Sequence, residues 1–107
     1  MPQQVLYYRY ADAIEAGLIM LERKIAPAPG QNYKFYTTDF YDRATDAQRY
    51  LALSYLPKYR IGPIPEDEIP TFQIQPRIVS PTNGQPGGGR EAATMHTLYL
   101  FDCFKLI

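Results

Sequence analysis

The sequence predicts an α+β fold on three observations: β-branched and aromatic runs bounded by turn residues outnumber helical stripes, both helical stripes fall early, and no regular strand–helix–strand alternation or internal repeat is present. Tyrosine occurs ten times without one tryptophan, and seven glycines plus ten prolines exceed the average of about 12% for that pair. Many aromatics and many turns imply short strands and long loops around an aromatic-lined cleft.

In chain order, Val5–Tyr10 is β-branched and aromatic and reads as a strand, with Val5, Tyr7 and Arg9 on one face and Leu6, Tyr8 and Tyr10 on the other. Asp12 is an N-cap for a short helix through Ala16, with Gly17 at the left-handed position after its end and Leu18–Met20 turning away as an extended piece. Lys24–Gly30, with Pro27 and Pro29, is a loop, and Tyr33–Thr37 is a second strand. Thr38 or Asp39 can cap a second helix over about Phe40–Leu53, where Phe40, Ala44, Ala47 and Leu51 recur at spacings of four, three and four before Pro57 stops it. Lys58–Ile61 and Thr71–Ile74 are strands that Pro63, Pro65, Pro70 and Pro76 confine to edges or short lengths, and Ile78–Val79 adds another. Ser80–Arg90 is a loop. Glu91–Met95 and Leu98–Ile107 close the chain as strands, the last apolar on both faces and therefore expected at the centre of a sheet.

The 107 residues form one domain over positions 1–107, with room for one modest core. Eleven basic and eleven acidic side chains cancel, so no positive field is available for a sequence-independent grip on nucleic acid or an anionic membrane. No apolar run approaches the ~20 residues that span a bilayer. The amino terminus lacks the pattern of a signal peptide. One cysteine excludes an internal disulfide, and one histidine leaves no Cys/His metal cluster.

Among candidate chemical groups, Arg9 stands out, because an arginine among apolar strand neighbours needs an anion or a carboxylate to meet it; snorkelling at the sheet edge or pairing with a core acid is the plain structural alternative. Pro86-Gly87-Gly88-Gly89 precedes a strand and lacks a following Gly-Lys-Ser/Thr, so it is neither a Walker sequence nor a dinucleotide-fold fingerprint. Its glycines either leave backbone N–H groups free for a phosphate or a partner, or form a flexible hairpin-type loop. Glu91 comes immediately after the Ser80–Arg90 loop, held by a strand yet exposed at the cleft mouth. His96 reads as a half-buried or surface histidine between strands, Cys103 as a small core residue, and Glu66-Asp67-Glu68 as a solvated turn.

An arginine on the first strand, a strand ending Tyr36-Thr37-Thr38 and a glutamate opening a later strand resemble the Arg / Ser-Thr-Ser / Glu arrangement of mono-ADP-ribosyltransferases. More closely, Tyr8-Arg9-Tyr10, Ala13 to Gly17, Tyr36-Thr37-Thr38-Asp39 with Tyr41, Ala47-Gln48-Arg49, and Pro81-Thr82-Asn83-Gly84-Gln85-Pro86-Gly87-Gly88-Gly89-Arg90-Glu91 resemble the TreTu-type toxin domain at the carboxyl ends of bacterial Rhs polymorphic toxins. The similarity covers nearly the whole chain, and its most specific part is the Asn-Gly-x-Pro-Gly-Gly-Gly-x-Glu stretch. The resemblance implies a small split β-sheet fold with two short early helices around a cleft that holds NAD as substrate. It implies Glu91 as the catalytic carboxylate, Arg9 on the phosphate or ribose, and Thr37 bracing the glutamate. Thr38 or Asp39 would order the next helix, and Tyr36 or Phe40 would lie against the nicotinamide. The loop with Asn83, Gly87, Gly88, Gly89 and Arg90 would present the acceptor. It further implies a protein acceptor, elongation factor Tu, in the cytoplasm of a target bacterium, delivery as part of a larger secreted toxin, and a cognate immunity protein. Two departures stand: Gly89 occupies the position where arginine-modifying members carry Glu or Gln, and Tyr-Thr-Thr replaces Ser-Thr-Ser. A different class of reading is a non-catalytic interaction module using the Tyr-rich surface and the Gly-rich loop. A third, an RNA-binding toxin, is opposed by the neutral net charge.

Overall fold

A computed structural model describes residues 4–99 and 101–107. Its elements in order are β1 (Leu6–Ala11), α1 (Ala13–Glu22), β2 (Lys34–Tyr36), α2 (Ala44–Tyr50), β3 (Tyr59–Pro65), a 3-10 turn (Glu66–Glu68), β4 (Ile74–Ile78), β5 (Arg90–Thr94) and β6 (Cys103–Lys105). The strands form two three-stranded antiparallel sheets, ordered β1-β3-β6 and β2-β5-β4. One antiparallel bridge joins them at the split: the Tyr8 N–H donates to the Thr37 carbonyl at 2.7 Å and the Thr37 N–H to the Tyr8 carbonyl at 2.8 Å. The result is a small α+β fold with a split sheet and two early helices. The core gathers Tyr7, Ile19, Ile25, Tyr36, Ile61 and Leu98, drawn from both sheets and α1.

The first helix is longer than its sequence suggests. Asp12 does cap it, its Oδ1 accepting from the Glu15 N–H at 2.8 Å. Gly17 does not end it, however, and Leu18–Met20 are helical rather than extended. Ala16 and Ile19 lie three apart on the buried side and carry the helix through the glycine. Gly17 faces open space, so its missing side chain costs only propensity, about 1 kcal/mol. The left-handed cap is Arg23 (φ 57°), whose N–H donates to the Ile19 carbonyl at 2.8 Å.

The second helix is shorter than predicted. Residues 40–43 stay outside it because tertiary contacts claim them: the Tyr41 N–H donates to the Tyr10 hydroxyl at 2.6 Å, and the Arg60 guanidinium lies 4.0 Å over the Phe40 ring and donates to the Tyr41 carbonyl. Neither Thr38 nor Asp39 caps the helix. Its first N–H, on Ala44, donates instead to the carbonyl of Ile107 at 3.0 Å.

β3 runs through Pro63 and Pro65, farther than expected, and both prolines fall where the sequence argument requires. β6 pairs only with Tyr59, Arg60 and Ile61, so the prolines lie beyond it with β1 alone beside them. Pro76 sits in the register break of β4, an edge strand. The final strand departs most. Only Cys103–Lys105 is strand, and it forms an edge rather than a centre; Leu98 makes a separate bridge with Ile25, and Leu100 lies outside the described residues. Its apolar character on both faces has two sources: Cys103 packs against the core, whereas Phe104 covers Arg60 at 5.2 Å. β1 is likewise buried on both faces, with Tyr7 against Phe72 and Tyr10 against Tyr41. His96 is half-buried, its Nε2 3.0 Å from the Thr71 hydroxyl, and Glu66–Glu68 are exposed.

Candidate functional site

A cavity of about 600 Å³ opens at the split between the sheets. Arg9 from β1, Tyr36 and Thr37 at the end of β2, Asn83 from the turn after β4, and Arg90 with Glu91 at the start of β5 all line it. Thr38, Phe40, Gly87, Gly88 and Gly89 are not among its lining residues. Its volume falls within the ~300–1,000 Å³ span of small-molecule sites.

Arg9 is met by a carboxylate from α1. Its Nε and Nη2 fork onto Glu15, Nη2 reaching Oε1 at 2.7 Å, and Nη1 donates to the Phe35 carbonyl at 3.0 Å. Three of the five guanidinium N–H groups are engaged in this way, and two remain. Burial disfavours the charge on Arg9, yet the Glu15 hydrogen bonds and charge outweigh it and raise the Arg9 pKa above its ordinary value. Glu15 answers in the opposite sense: burial alone would raise it, but Arg9 and Lys34 hold it below the usual carboxylate range. The sequence alternative of a pairing acid is thus realised, while the side chain still borders the cavity.

Glu91 stands on the other wall. It lies directly opposite Arg77 in the β4–β5 register, and its Oε2 accepts from Arg77 Nε at 2.8 Å. The Glu91 side chain is 21% exposed, so the sheet fixes it while solvent and ligand can reach it. Asp39 secures this position from the side. Its Oδ2 accepts from the Arg90 N–H at 2.7 Å and from the Tyr41 hydroxyl at 3.1 Å. The Thr37 hydroxyl accepts from the Asp39 N–H at 2.9 Å. Thr37 therefore acts on Glu91 at one remove, through the turn that carries Asp39.

The Gly-rich segment belongs to the hairpin connection between β4 and β5, and its N–H groups are not free donors. The N–H groups of Gly87, Gly88 and Gly89 donate to the carbonyls of Arg49, Val79 and Tyr50 at 3.1, 2.9 and 2.9 Å. Glycine is required here for close approach: a Cβ on Gly87 would lie 2.5 Å from the Val79 carbonyl oxygen, and one on Gly89 2.7 Å from the Tyr41 hydroxyl. The segment is a buttress tying the end of α2 to the start of β5. Upstream of it, Asn83 and Gly84 (φ 54° and 72°) close a two-residue turn between Thr82 and Gln85, the positive-φ pair that a tight hairpin needs. The Asn83 amide donates to the Ala52 carbonyl at 2.9 Å. Ala52, left-handed at φ 51°, ends α2 as its C′ residue, with the Leu53 N–H donating to the Gln48 carbonyl at 3.0 Å, and also lines the cavity.

Tyr36 is 2% exposed, and its hydroxyl has no hydrogen-bond partner among the described residues. Burial pushes its pKa well above the ordinary tyrosine value. Its ring belongs to the core and its hydroxyl oxygen is buried with it, so Tyr36 closes the cavity wall without an exposed stacking face. Phe40 is 52% exposed and packs edge-on against Tyr8 at 5.5 Å, next to the cavity wall. Cys103 has a thiol raised by burial and by Asp102, which makes it unreactive.

Sequence reasoning missed Glu15, Tyr55 and Arg77. The Asp12-x-x-Glu15 spacing is that of a capping box, a signal that could have drawn attention to Glu15. Tyr55, whose hydroxyl donates to the Tyr10 carbonyl at 2.8 Å while lining the cavity, sits in a loop without periodicity. Arg77 depends on β4–β5 register, which no local pattern supplies. Comparison with protein-family models, with curated proteins and with solved structures finds no match.

Proposed function

We propose that the protein is a mono-ADP-ribosyltransferase toxin domain that transfers ADP-ribose from NAD to a protein of the bacterial translation machinery, elongation factor Tu, after delivery within a larger secreted toxin. The observation that carries this reading is the convergence of Arg9 and Glu91, 82 positions apart in the sequence, on one cavity at the sheet split. The residues present suit NAD: two Arg9 N–H groups lie beyond those already engaged, Glu91 keeps one carboxylate oxygen beyond its bond to Arg77, and the cavity has the volume of a small-molecule site.

NAD supplies a glycosidic bond whose cleavage leaves positive charge on the ribose carbon. Glu91, with one oxygen held by Arg77 and the other available, would accept a hydrogen bond from the ribose and set a fixed negative charge against the oxocarbenium-like centre. Arg9 would grip phosphate or ribose oxygens. Arg90 and Asn83 border the opening where an acceptor would enter. A cognate immunity protein would act by covering that opening. In the alternative of a non-catalytic module using the Tyr-rich surface and the Gly-rich loop, the three glycine N–H groups would not serve a partner, since each is bonded to a backbone carbonyl.

The test is transfer of labelled ADP-ribose to a bacterial lysate. Glu91→Gln should keep the fold, since a surface pair such as Arg77–Glu91 contributes at most about 1 kcal/mol. The same substitution should lower transfer by about 100- to 1,000-fold. Full transfer by Glu91→Gln refutes the assignment of Glu91, and no transfer by the wild-type protein refutes the activity.

A further inference from the structure

A second hollow, of about 340 Å³, lies against the opposite side of Arg9 and is lined by Gln31, Asn32, Tyr33, Lys34 and Phe35. Its lining contains two cations, two side-chain amides and no carboxylate. The charge balance beneath it is uneven. Lys34 Nζ lies 3.4 Å from Glu15 Oε2, the same oxygen that Arg9 Nε holds, so two cations share one carboxylate. All three groups are withdrawn from water, with side chains 16% (Arg9), 10% (Lys34) and 25% (Glu15) exposed. Burial first, and the Arg9 charge second, lower the Lys34 pKa, against the pull of Glu15 and of the exposed Glu22. Structural ion pairs usually close on neutrality when they leave water, since an unmatched buried charge is costly. This cluster retains a surplus positive charge facing an acid-free hollow.

We infer that this hollow is a binding site for a phosphate or pyrophosphate group, with Lys34 as the charge that selects it and Gln31 and Asn32 as neutral donors at its rim. An anion there would complete the charge balance that Glu15 leaves half done. The Lys34 ammonium has three N–H donors, one of them directed to Glu15, the remaining Arg9 edge adds more, and the two amides can turn their NH₂ groups inward. Several convergent donors suit the several oxygens of a phosphate better than a single carboxylate. Arg9 and Phe35 line both hollows, so the two lie side by side across these residues. That arrangement suits a pyrophosphate esterified at both ends, whose phosphates sit between two bulky groups. As the phosphate end of an NAD site, the assignment rests on the transferase reading; as an anion site it stands without it.

The test uses the full chain and inorganic pyrophosphate as the probe, titrated by calorimetry at low salt. Wild-type protein should bind it, and Lys34→Gln should weaken binding about tenfold or more while Lys34→Arg retains most of it. Lys34→Gln leaves the Arg9–Glu15 pair intact, so its melting temperature should stay near that of the wild type. If Lys34→Gln nevertheless unfolds, the exposed pair Gln31→Ala/Asn32→Ala takes its place, with a loss of affinity again expected. Absence of pyrophosphate binding by the wild type, or equal binding by the folded variants, overturns the inference. Labelled transfer to lysate by the wild type separates the two claims: transfer without pyrophosphate binding sinks the anion site alone, and pyrophosphate binding without transfer sinks the transferase alone.

Discussion

Replacing Gly89 by alanine tests whether the glycine segment holds the catalytic wall in place. The added Cβ would lie 2.7 Å from the Tyr41 hydroxyl oxygen, 3.0 Å from Asp39 Oδ2 and 3.0 Å from the Tyr50 carbonyl oxygen. The backbone of Gly89 is outside the left-handed region, so the penalty is steric and not conformational. None of the three neighbours yields easily. The Tyr50 oxygen is backbone and already accepts the Gly89 N–H at 2.9 Å, and Tyr41 is stacked on Tyr50 with ring centroids 5.8 Å apart. Overpacking of this kind costs about 1–3 kcal/mol. At roughly 4–8 °C per kcal/mol for a domain near this size, the melting temperature should fall by roughly 5–20 °C. The displaced atoms are those that hold Arg90, one residue before Glu91, so transfer activity measured well below the melting point should fall as well. Thermal melts followed by circular dichroism read the first effect, and the lysate assay reads the second. A Gly89→Ala protein that melts within about a degree of the wild type would refute the buttress, and with it the account of how Glu91 is positioned.

Two further substitutions act on the helix and on the cavity. Gly17→Ala should raise stability by about 0.5–1 kcal/mol, because the residue is inside α1 and its Cβ would meet open space. Were Gly17 instead the left-handed cap, alanine would destabilise by about 1–2 kcal/mol, so the sign in a urea titration decides. Tyr36→Phe should stabilise the protein by about 1 kcal/mol in a urea titration, since it removes a buried hydroxyl with no partner among the described residues. Loss of stability would show that the hydroxyl is served by the fold.

The parts of the fold legible in the sequence are those set by local chemistry. Asp12 before an apolar stretch is a cap wherever the chain goes next, and Pro76 must avoid a ladder position whichever sheet holds it. The errors share one cause, which is competition from distant residues. The Phe40-Ala44-Ala47-Leu51 stripe is helical in period, but its first turn is drawn off by Tyr10 and Arg60, one turn of helix losing to a cation–aromatic contact and two hydrogen bonds. Gly17 misleads in the other direction: a residue with the right preference for a helix end is overridden by the burial of Ile19. The last strand misleads because apolar residues on both faces imply sheet on both faces, whereas here one face is covered by an arginine side chain.

The candidate site divides along the same line. Arg9 and Glu91 are conspicuous because each is a charge in an apolar or turn-rich context, and charge out of place is a local signal. Their partners are not conspicuous at all. Lys34 and Arg77 look like ordinary strand-surface cations, and only pairing gives them a role: β2 reaches β1 through the Tyr8–Thr37 bridge, and β4 sets Arg77 across from Glu91. The glycine segment inverts the usual inference from composition. Three consecutive glycines suggest mobility, yet Gly87 and Gly89 lie where a Cβ would not fit, and the N–H groups of all three glycines are bonded to backbone carbonyls, so absence of side chains here goes with a rigid tie to the fold. That rigidity matters for the proposed chemistry, because a carboxylate that must face a developing charge gains its effect from being held before the charge appears. Arg77 on one oxygen and Asp39 on the preceding amide do this holding, and both lie outside any motif that names the glutamate itself.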